Sequence, residues 1–439
     1  MTGGLGKRKI FIGLLLFFGI AVAFCCAFFL WKRTTSPKVQ DVIFADIDRD
    51  GELERIELLW KRGRFGKHRP FWVKEDEKEF SQHIFIYDVL EDGELKPLWF
   101  ASDIGREVVR MKIIGGNEDI LLLEDKEGNN TLWRWESFGL KNVDNEVRFI
   151  AFGDNIIHSE IMEYAETREG GEYDFLYEPF EKEIKEADIA AFGAETVLVD
   201  KESAVSGYPL FGSPIEVGKA LVAAGFDIAV CGNNHALDKG IYGIDVSTAF
   251  YEENGIKAIG VQNSRDTEYR PYEVMARNGL KFALFSYTYG TNGMDASDKY
   301  PYAVHYLPGD EKERQQVRKD IEEAKAEVDF VIVFAHWGNE YESEVSDEQK
   351  EMAQFLAEAG ADVVIGSHPH VVQEVSEISC EDGRKSLVFY SLGNFRAYQG
   401  QMEETKKGAE AVIVFEHCYD GVRIKEYEVK DVDAYVGVR

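Results

Sequence analysis

The alternation of apolar and polar positions changes character twice along the chain. Ile10 to Trp31 is an unbroken apolar run of 22 residues, with Lys7, Arg8 and Lys9 before it and Lys32 and Arg33 after it. At about 1.5 Å rise per residue, a helix of that length crosses a bilayer. A cleaved signal peptide has a shorter core and a small-x-small site, and this run has neither. Phe24 before Cys25 does not suit a lipoprotein cleavage box. The pattern predicts one uncleaved transmembrane signal anchor at 10–31. Residues 1–9 form a cytoplasmic tail, because the stronger basic flank is N-terminal. The expected location is the cell membrane, single-pass, with the bulk of the chain extracellular. A short linker, 32–40, follows.

From 41 to 145 the period is close to two. Val42–Phe44, Ile56–Trp60, His83–Tyr87 and Thr131–Trp135 are short β-branched or aromatic runs divided by charged, Gly-containing turns, the signature of a small β-rich domain. From Val147 the texture changes again. Strand-like runs at Phe149–Phe152, Asp188–Phe192, Ile228–Val230, Phe282–Tyr287, Asp329–Phe334, Val363–Ile365 and Leu387–Tyr390 are interleaved with helical patterns. The helices are predicted at Tyr177–Glu186, Ile215–Ala224, Glu311–Glu327 and Asp347–Ala359. A β-α alternation of this length predicts an α/β domain at 146–439, with a mainly parallel sheet and helices on its faces.

Composition narrows the function classes. Fifty basic against 80 acidic residues leave a formal charge of -30, which excludes nucleic acid as a partner because phosphate binding needs clustered Lys and Arg. The five cysteines form no CxxC pair, so neither a zinc knuckle nor a dense disulfide framework is expected. A single Cys380–Cys418 bridge is left open by spacing.

The β-rich domain carries one local acidic pattern. Asp46, Asp48 and Asp50 alternate, Gly51 takes the sixth position and Glu57 the twelfth. Oxygen ligands at that spacing wrap one hard cation, so this is a candidate calcium loop. Its flanks read as strands, unlike an EF-hand, and an acidic hairpin turn is the plainer alternative.

In the α/β domain the polar residues follow strands. They are Asp154 with His158, Glu195, Asn234 with His235 and Asp238, His336, and His368 with His370. Parallel strands bring their carboxyl ends to one edge, so such groups converge. Taken singly each has a structural reading: Asp154 as a helix cap, His336 packed beside Trp337, Ser391–Phe395 as a tight turn. Together, His nitrogens with Asp, Glu and Asn oxygens suit manganese, iron or zinc. The set is too large for one tetrahedral site, which points to two divalent ions.

The chain resembles the CapA family of poly-γ-glutamate capsule biosynthesis proteins, related to calcineurin-like metallophosphoesterases. The matching segments are Gly153-Asp154-Asn155 with His158, Asp188–Thr196, Ser206–Pro209 with Phe211, Asn233-Asn234-His235 with Asp238, His336-Trp337-Gly338, His368-Pro369-His370 and Tyr390–Phe395. The resemblance implies a four-layer calcineurin-like α/β sandwich, here preceded by the transmembrane helix and the β-rich domain. It implies that Asp154 and His370 hold one metal, that Asn234, His336 and His368 hold the other, and that Glu195 bridges. His235 would be the general acid, oriented by Asp238. Three positions depart from the pattern. Gly193 stands where the family usually has Asn, Ser367 where many members have His, and the first motif offers only His158 in place of an Asp-x-His. The implied function is a membrane-anchored extracellular metal-dependent hydrolase, phosphoesterase-like, acting on a phosphoester or an anionic envelope polymer. The alternative is a non-catalytic binding subunit of a capsule polymer synthesis or export complex. A calcium-dependent surface adhesion protein is a third reading, resting on Asp46–Glu57 alone.

Overall fold

The computed structural model describes residues 37–63, 80–101, 104–115, 119–137 and 139–438. The apolar run at 10–31 lies outside them. Among the described residues, no helix is long and apolar enough to cross a membrane. The chain forms two compact units. One runs to Asp144 and includes Cys418–Gly421, and the other holds the rest from Asn145.

The first unit is all β. Strands β1 (Lys38–Ala45), β2 (Glu54–Arg62), β3 (Phe80–Val89) and β4 (Leu95–Phe100) make one antiparallel meander. A second comprises β5 (Val108–Ile114), β6 (Ile120–Asp125), β7 (Asn130–Glu136) and β8 (Gly139–Val143). Ile56 and Leu58, Ile84 and Ile86, and Leu121 and Leu123 each stand two apart and fall in one core. Side chains two apart share a face of a strand, so the two-residue period seen in the sequence becomes the inner face of each sheet.

The β1–β2 turn holds the acidic pattern. Ligand oxygens of Asp46, Asp48 and Asp50 lie within 4.8 Å of one another, and Gly51 takes a φ of 94°. Glu57 does not join them. It lies mid-strand in β2, opposite Val42, with Arg55 Nε at 2.8 Å from its carboxylate. The hairpin register, not a loop wrapped around an ion, decides where the twelfth residue goes. Glu54 is the buried acid nearest the turn and accepts the Ile47 amide at 2.8 Å.

In the second unit, β9 (Glu146–Asn155), β10 (Ile189–Gly193), β13 (Ile228–Val230) and β14 (Lys257–Ile259) are parallel neighbours. The ribbon β22 (Lys407–Cys418) and β23 (Gly421–Asp433) extends the sheet beyond β9, with β22 antiparallel to it. Short β11 (Leu198–Val199) and β12 (Ser213–Pro214) pair apart from it, and β21 (Asn394–Arg396) joins the end of β9. A second sheet has the order β15 (Glu273–Arg277), β16 (Leu280–Thr288), β17 (Phe330–His336), β18 (Val363–Ser367), β20 (Lys385–Phe389), β19 (Val375–Ser379), parallel at its centre and antiparallel at both edges. The single, mainly parallel sheet expected from the alternation is therefore two mixed sheets.

Both faces of each sheet are covered, which is why their strands read as continuous apolar runs. Phe149 and Ala151 of β9 share a core with Phe282, Leu284, Ile332 and Phe334 of the other sheet. The alternate residues Ile150 and Phe152 pack against Ile161, Val217, Leu221 and Ile244 from the helices Ser159–Arg168, Ile215–Ala224 and Gly240–Glu253. On the far side, Phe285, Val331, Val333 and Val364 meet Ile321 and Leu356 of the helices Glu311–Lys325 and Asp347–Ala359. The layers are helix, sheet, sheet, helix.

Local signals set several boundaries. Ser346 and Gln349 form a reciprocal capping box at the start of the Asp347 helix, which satisfies two amides the helix leaves unpaired. The predicted helix Tyr177–Glu186 is instead a 3-10 turn, Glu178–Phe180, followed by a helix at Glu181–Glu186. Pro179 has no amide proton and fits only a first turn. Cys231, Cys380 and Cys418 are all free thiols, so the bridge left open by spacing is not formed.

Candidate metal centre

The strand ends deliver the expected groups to one place. Asp154 closes β9, Glu195 follows β10, Asn234 follows β13, His336 ends β17, and His368 and His370 follow β18. All six are buried. Donor atoms of Glu195, His368 and His370 lie within 4.8 Å of one another. The two carboxylates span the same pair of imidazoles. Asp154 lies 3.9 Å from His336 and 3.4 Å from His370, and Glu195 lies 3.5 Å and 3.7 Å from them. Asn234 Oδ1 sits 2.8 Å from His336 Nε2. Asp154 and Glu195 are thus placed alike about His336 and His370.

The backbone is bent to make this possible. His368 and His370 have φ of 100° and 59°, a left-handed region that non-glycine residues occupy at a cost of order 1–3 kcal/mol each, typically at functional sites. The His368 amide donates to Asp154 at 3.1 Å, which pins the segment. Gly193 lies at a close approach between two strand ends. A Cβ there would stand 2.8 Å from the Gly153 carbonyl oxygen and 3.2 Å from Asp154 Oδ1, so the strand end beside Asp154 has room only for hydrogen.

Two orienting residues carry roles the sequence reading did not assign. Ser367 Oγ lies 2.9 Å from His336 Nδ1, and Asn394 Oδ1 lies 3.1 Å from His370 Nδ1. Ser367 stands in the sequence only as a replaced histidine, and Asn394 lies in the Tyr390–Phe395 segment of the resemblance, which taken singly reads as a tight turn. Asn394 reaches the site because β21 pairs with the end of β9, opposite Asp154, a contact no local pattern encodes. Asn233 ties two of the loops together, donating to the Ala194 carbonyl at 2.7 Å and accepting from the His235 amide at 3.0 Å.

His235 stands beside the cluster with its Nδ1 2.7 Å from Asp238 Oδ2, and the same oxygen accepts the Phe211 amide at 2.6 Å. Burial pulls this imidazole down, yet the hydrogen bond to Asp238 and the charge of Glu195 leave it above its ordinary value. His158 has a different place. Its ring packs on Phe211 and its Nδ1 contacts Ile156 O and Tyr398 N, both at 3.3 Å. It is not one of the residues gathered within the cluster.

The donor set fits divalent cations. Both Glu195 oxygens, Asp154 Oδ1 and His368 Nδ1 are buried without a hydrogen-bond partner, and such atoms are costly unless something satisfies them. Burial lowers His336 to about 3 and also lowers His368, so both stay neutral with lone pairs available, as ligation requires. Burial, then the neighbouring Asp154, push Glu195 up to about 8. His370 is drawn down by burial but lifted to about 9 by Glu195 and Asp154. Burial opposes ionisation of Asp154 too, while His370 and His336 hold it below its usual range. The unpartnered carboxylate and imidazole atoms, with His336 and His368 neutral, form a donor set that an ion would satisfy.

The family described as Bacterial capsule synthesis protein PGA_cap matches residues 148–399. The chain belongs to that family. Among its curated relatives, the PGA biosynthesis protein CapA of Bacillus subtilis (strain 168) is 31% identical over 182 residues, covering 42% of this chain and 45% of that protein. The capsule biosynthesis protein CapA of Bacillus anthracis is 32% identical over 187 residues, covering 42% and 43%. The matched stretch is thus less than half the length of either relative. Among solved structures, the calcineurin-like phosphoesterase YfkN of Bacillus subtilis aligns at TM-score 0.35 and 13% identity over 66% of this chain and 91% of that one. The matched span of the capsule family begins on β9 and ends just past β21, so it contains every residue of the centre.

Proposed function

We propose that the chain is a metal-dependent hydrolase of the phosphoesterase type, working in capsule or envelope polymer biosynthesis. The observation that supports this best is the buried cluster of Asp154, Glu195, Asn234, His336, His368 and His370, with carboxylate and imidazole atoms left unpaired. The capsule family match supports the biological setting. The apolar run at 10–31 supports a membrane anchor with the enzyme outside the cell.

Those six residues would hold two divalent ions. Ions bound there supply Lewis acidity and lower the pKa of water. The chain's own residues do the rest. Ser367 and Asn394 fix the His336 and His370 rings. Asp238 holds His235 at Nδ1, which leaves Nε2 to give a proton to the departing oxygen. General acid help of this kind is worth roughly 10²–10⁴-fold. Asp238 also accepts the Phe211 amide, so one carboxylate fastens both the acid and the loop that carries Phe211.

The test is hydrolysis of a chromogenic aryl phosphate by the purified chain supplied with manganese, iron or zinc, alongside its metal content. Metal-dependent turnover lost in His368→Ala supports the reading. Bound metal without turnover on any phosphoester would favour the non-catalytic subunit instead.

A further inference from the structure

Asn234 is buried, 1% exposed, inside the cluster. Its carboxamide has two ends of almost the same shape. One is an acceptor with free lone pairs and the other carries two N–H donors. Only the acceptor end can ligate a cation. Oδ1 faces His336 Nε2 at 2.8 Å. Nδ2 instead donates to Asn292 Oδ1 at 3.4 Å, across 58 residues of chain.

Asn292 belongs to the loop that follows β16, and that loop is fastened to the cluster. Thr288 pairs in register with His336. The Tyr289 amide donates to the His336 carbonyl at 3.0 Å, and the Tyr289 ring lies 4.6 Å from that of His368. Thr291 Oγ1 donates to the Met294 carbonyl at 2.5 Å and meets the Tyr306 hydroxyl at 3.1 Å. Between these fixed points Asn292 and Gly293 have φ of 51° and 78°. A left-handed backbone admits Gly and, among other residues, chiefly Asn and Asp. The turn by itself would therefore accept Asn, Asp or Gly at 292. The acceptor for Asn234 Nδ2 is a second demand, and Gly does not meet it.

We propose that Asn292 is a positioning residue that sets which end of the Asn234 carboxamide faces the cluster. Turned round, Asn234 would aim N–H donors at the lone pair of His336 and would bring no lone pair to a cation. The Asn292 oxygen holds the donor end outside, because a buried N–H is costly without an acceptor. On the far side of the same imidazole, Ser367 Oγ contacts His336 Nδ1. The row Asn292, Asn234, His336, Ser367 thus sets Oδ1 and Nε2 side by side, as two neighbouring ligand atoms for one ion.

The inference rests on reading the cluster as a metal centre, and its test reads binding rather than turnover. The full chain is titrated with manganese, and the free ion is followed by electron paramagnetic resonance. Asn292→Gly keeps the left-handed turn and removes the acceptor, so manganese affinity should fall by on the order of tenfold. Asn292→Asp keeps both the turn and the acceptor and should bind at least as well as the parent. Asn234→Asp has no N–H end to orient. In that background Asn292→Gly should leave the affinity unchanged, a non-additivity that marks residues acting on each other. Parental affinity in Asn292→Gly, an equal loss in Asn292→Asp, or the same loss in both backgrounds overturns the inference and leaves Asn292 a turn residue. A parent chain that takes up no manganese overturns it together with the metal centre.

Discussion

Ser367 Oγ lies 2.9 Å from His336 Nδ1, and the two residues face each other in register at the ends of adjacent parallel strands. The hydroxyl fixes the ring so that Nε2 meets Asn234 and Glu195. A residue that orients a ligating histidine typically contributes about 10–100-fold to metal affinity. Ser367→Ala should therefore weaken metal binding by that order while leaving the fold intact, measured by metal titration and circular dichroism. Unchanged affinity would show that the strand alone sets the ring.

Asp238 accepts from the His235 ring and from the Phe211 amide with one oxygen. Asp238→Ala should leave metal stoichiometry unchanged and lower kcat by roughly 10²–10⁴-fold on a substrate with a poor leaving group. The loss should be smaller on a nitrophenyl ester, whose leaving oxygen needs no proton. Equal losses on both would assign Asp238 to structure only.

At the end of β10, Gly193→Ala puts a methyl 2.8 Å from the Gly153 carbonyl oxygen and 3.2 Å from Asp154 Oδ1. Overpacking of this kind costs about 1–3 kcal/mol. The variant should melt earlier and retain less metal on the Asp154 side. Gly193→Asn should be no better, because its Cβ meets the same atoms. Normal melting and full metal content in both variants would contradict the close approach.

The first unit has its own pH dependence. Burial raises Glu54 from 4.5 to about 7, against the hydrogen bond from the Ile47 amide. Its folded pKa lies above the unfolded one, so the folded form holds the extra proton between pH 4.5 and 7. The stability it contributes is fully present below 4.5 and is lost as pH rises through 7. Glu54→Gln keeps an acceptor for Ile47 and carries no charge. It should raise the melting temperature at pH 8, by an amount corresponding to on the order of 1 kcal/mol, with little effect at pH 5. Equal shifts at the two pH values would remove Glu54 as the cause.

The strand ends were legible because each ligand-type residue follows an apolar run, as Asp154 follows Phe149–Phe152 and His368 follows Val363–Ile365. What the sequence could not show was which sheet each strand enters. Phe149 and Phe282 both belong to strands buried on two faces, so their runs look alike although they lie in different sheets. Asn394 was hidden for the same reason: its partner is Asp154, far away in the chain. Glu57 was misplaced because spacing alone cannot distinguish a loop that wraps an ion from a hairpin whose register carries the twelfth residue into mid-strand. Pro179 was a visible helix-breaking signal within Tyr177–Glu186 that the acidic periodicity obscured.

The most direct test of the centre is the metal content of the purified chain after dialysis against trace manganese, iron or zinc, compared with His368→Ala and Glu195→Gln by elemental analysis. The account predicts about two divalent ions per chain in the parent and a clear loss in both variants, with folding unchanged by circular dichroism. A parent chain that keeps no ion under those conditions, or variants that keep as much as the parent, would contradict it.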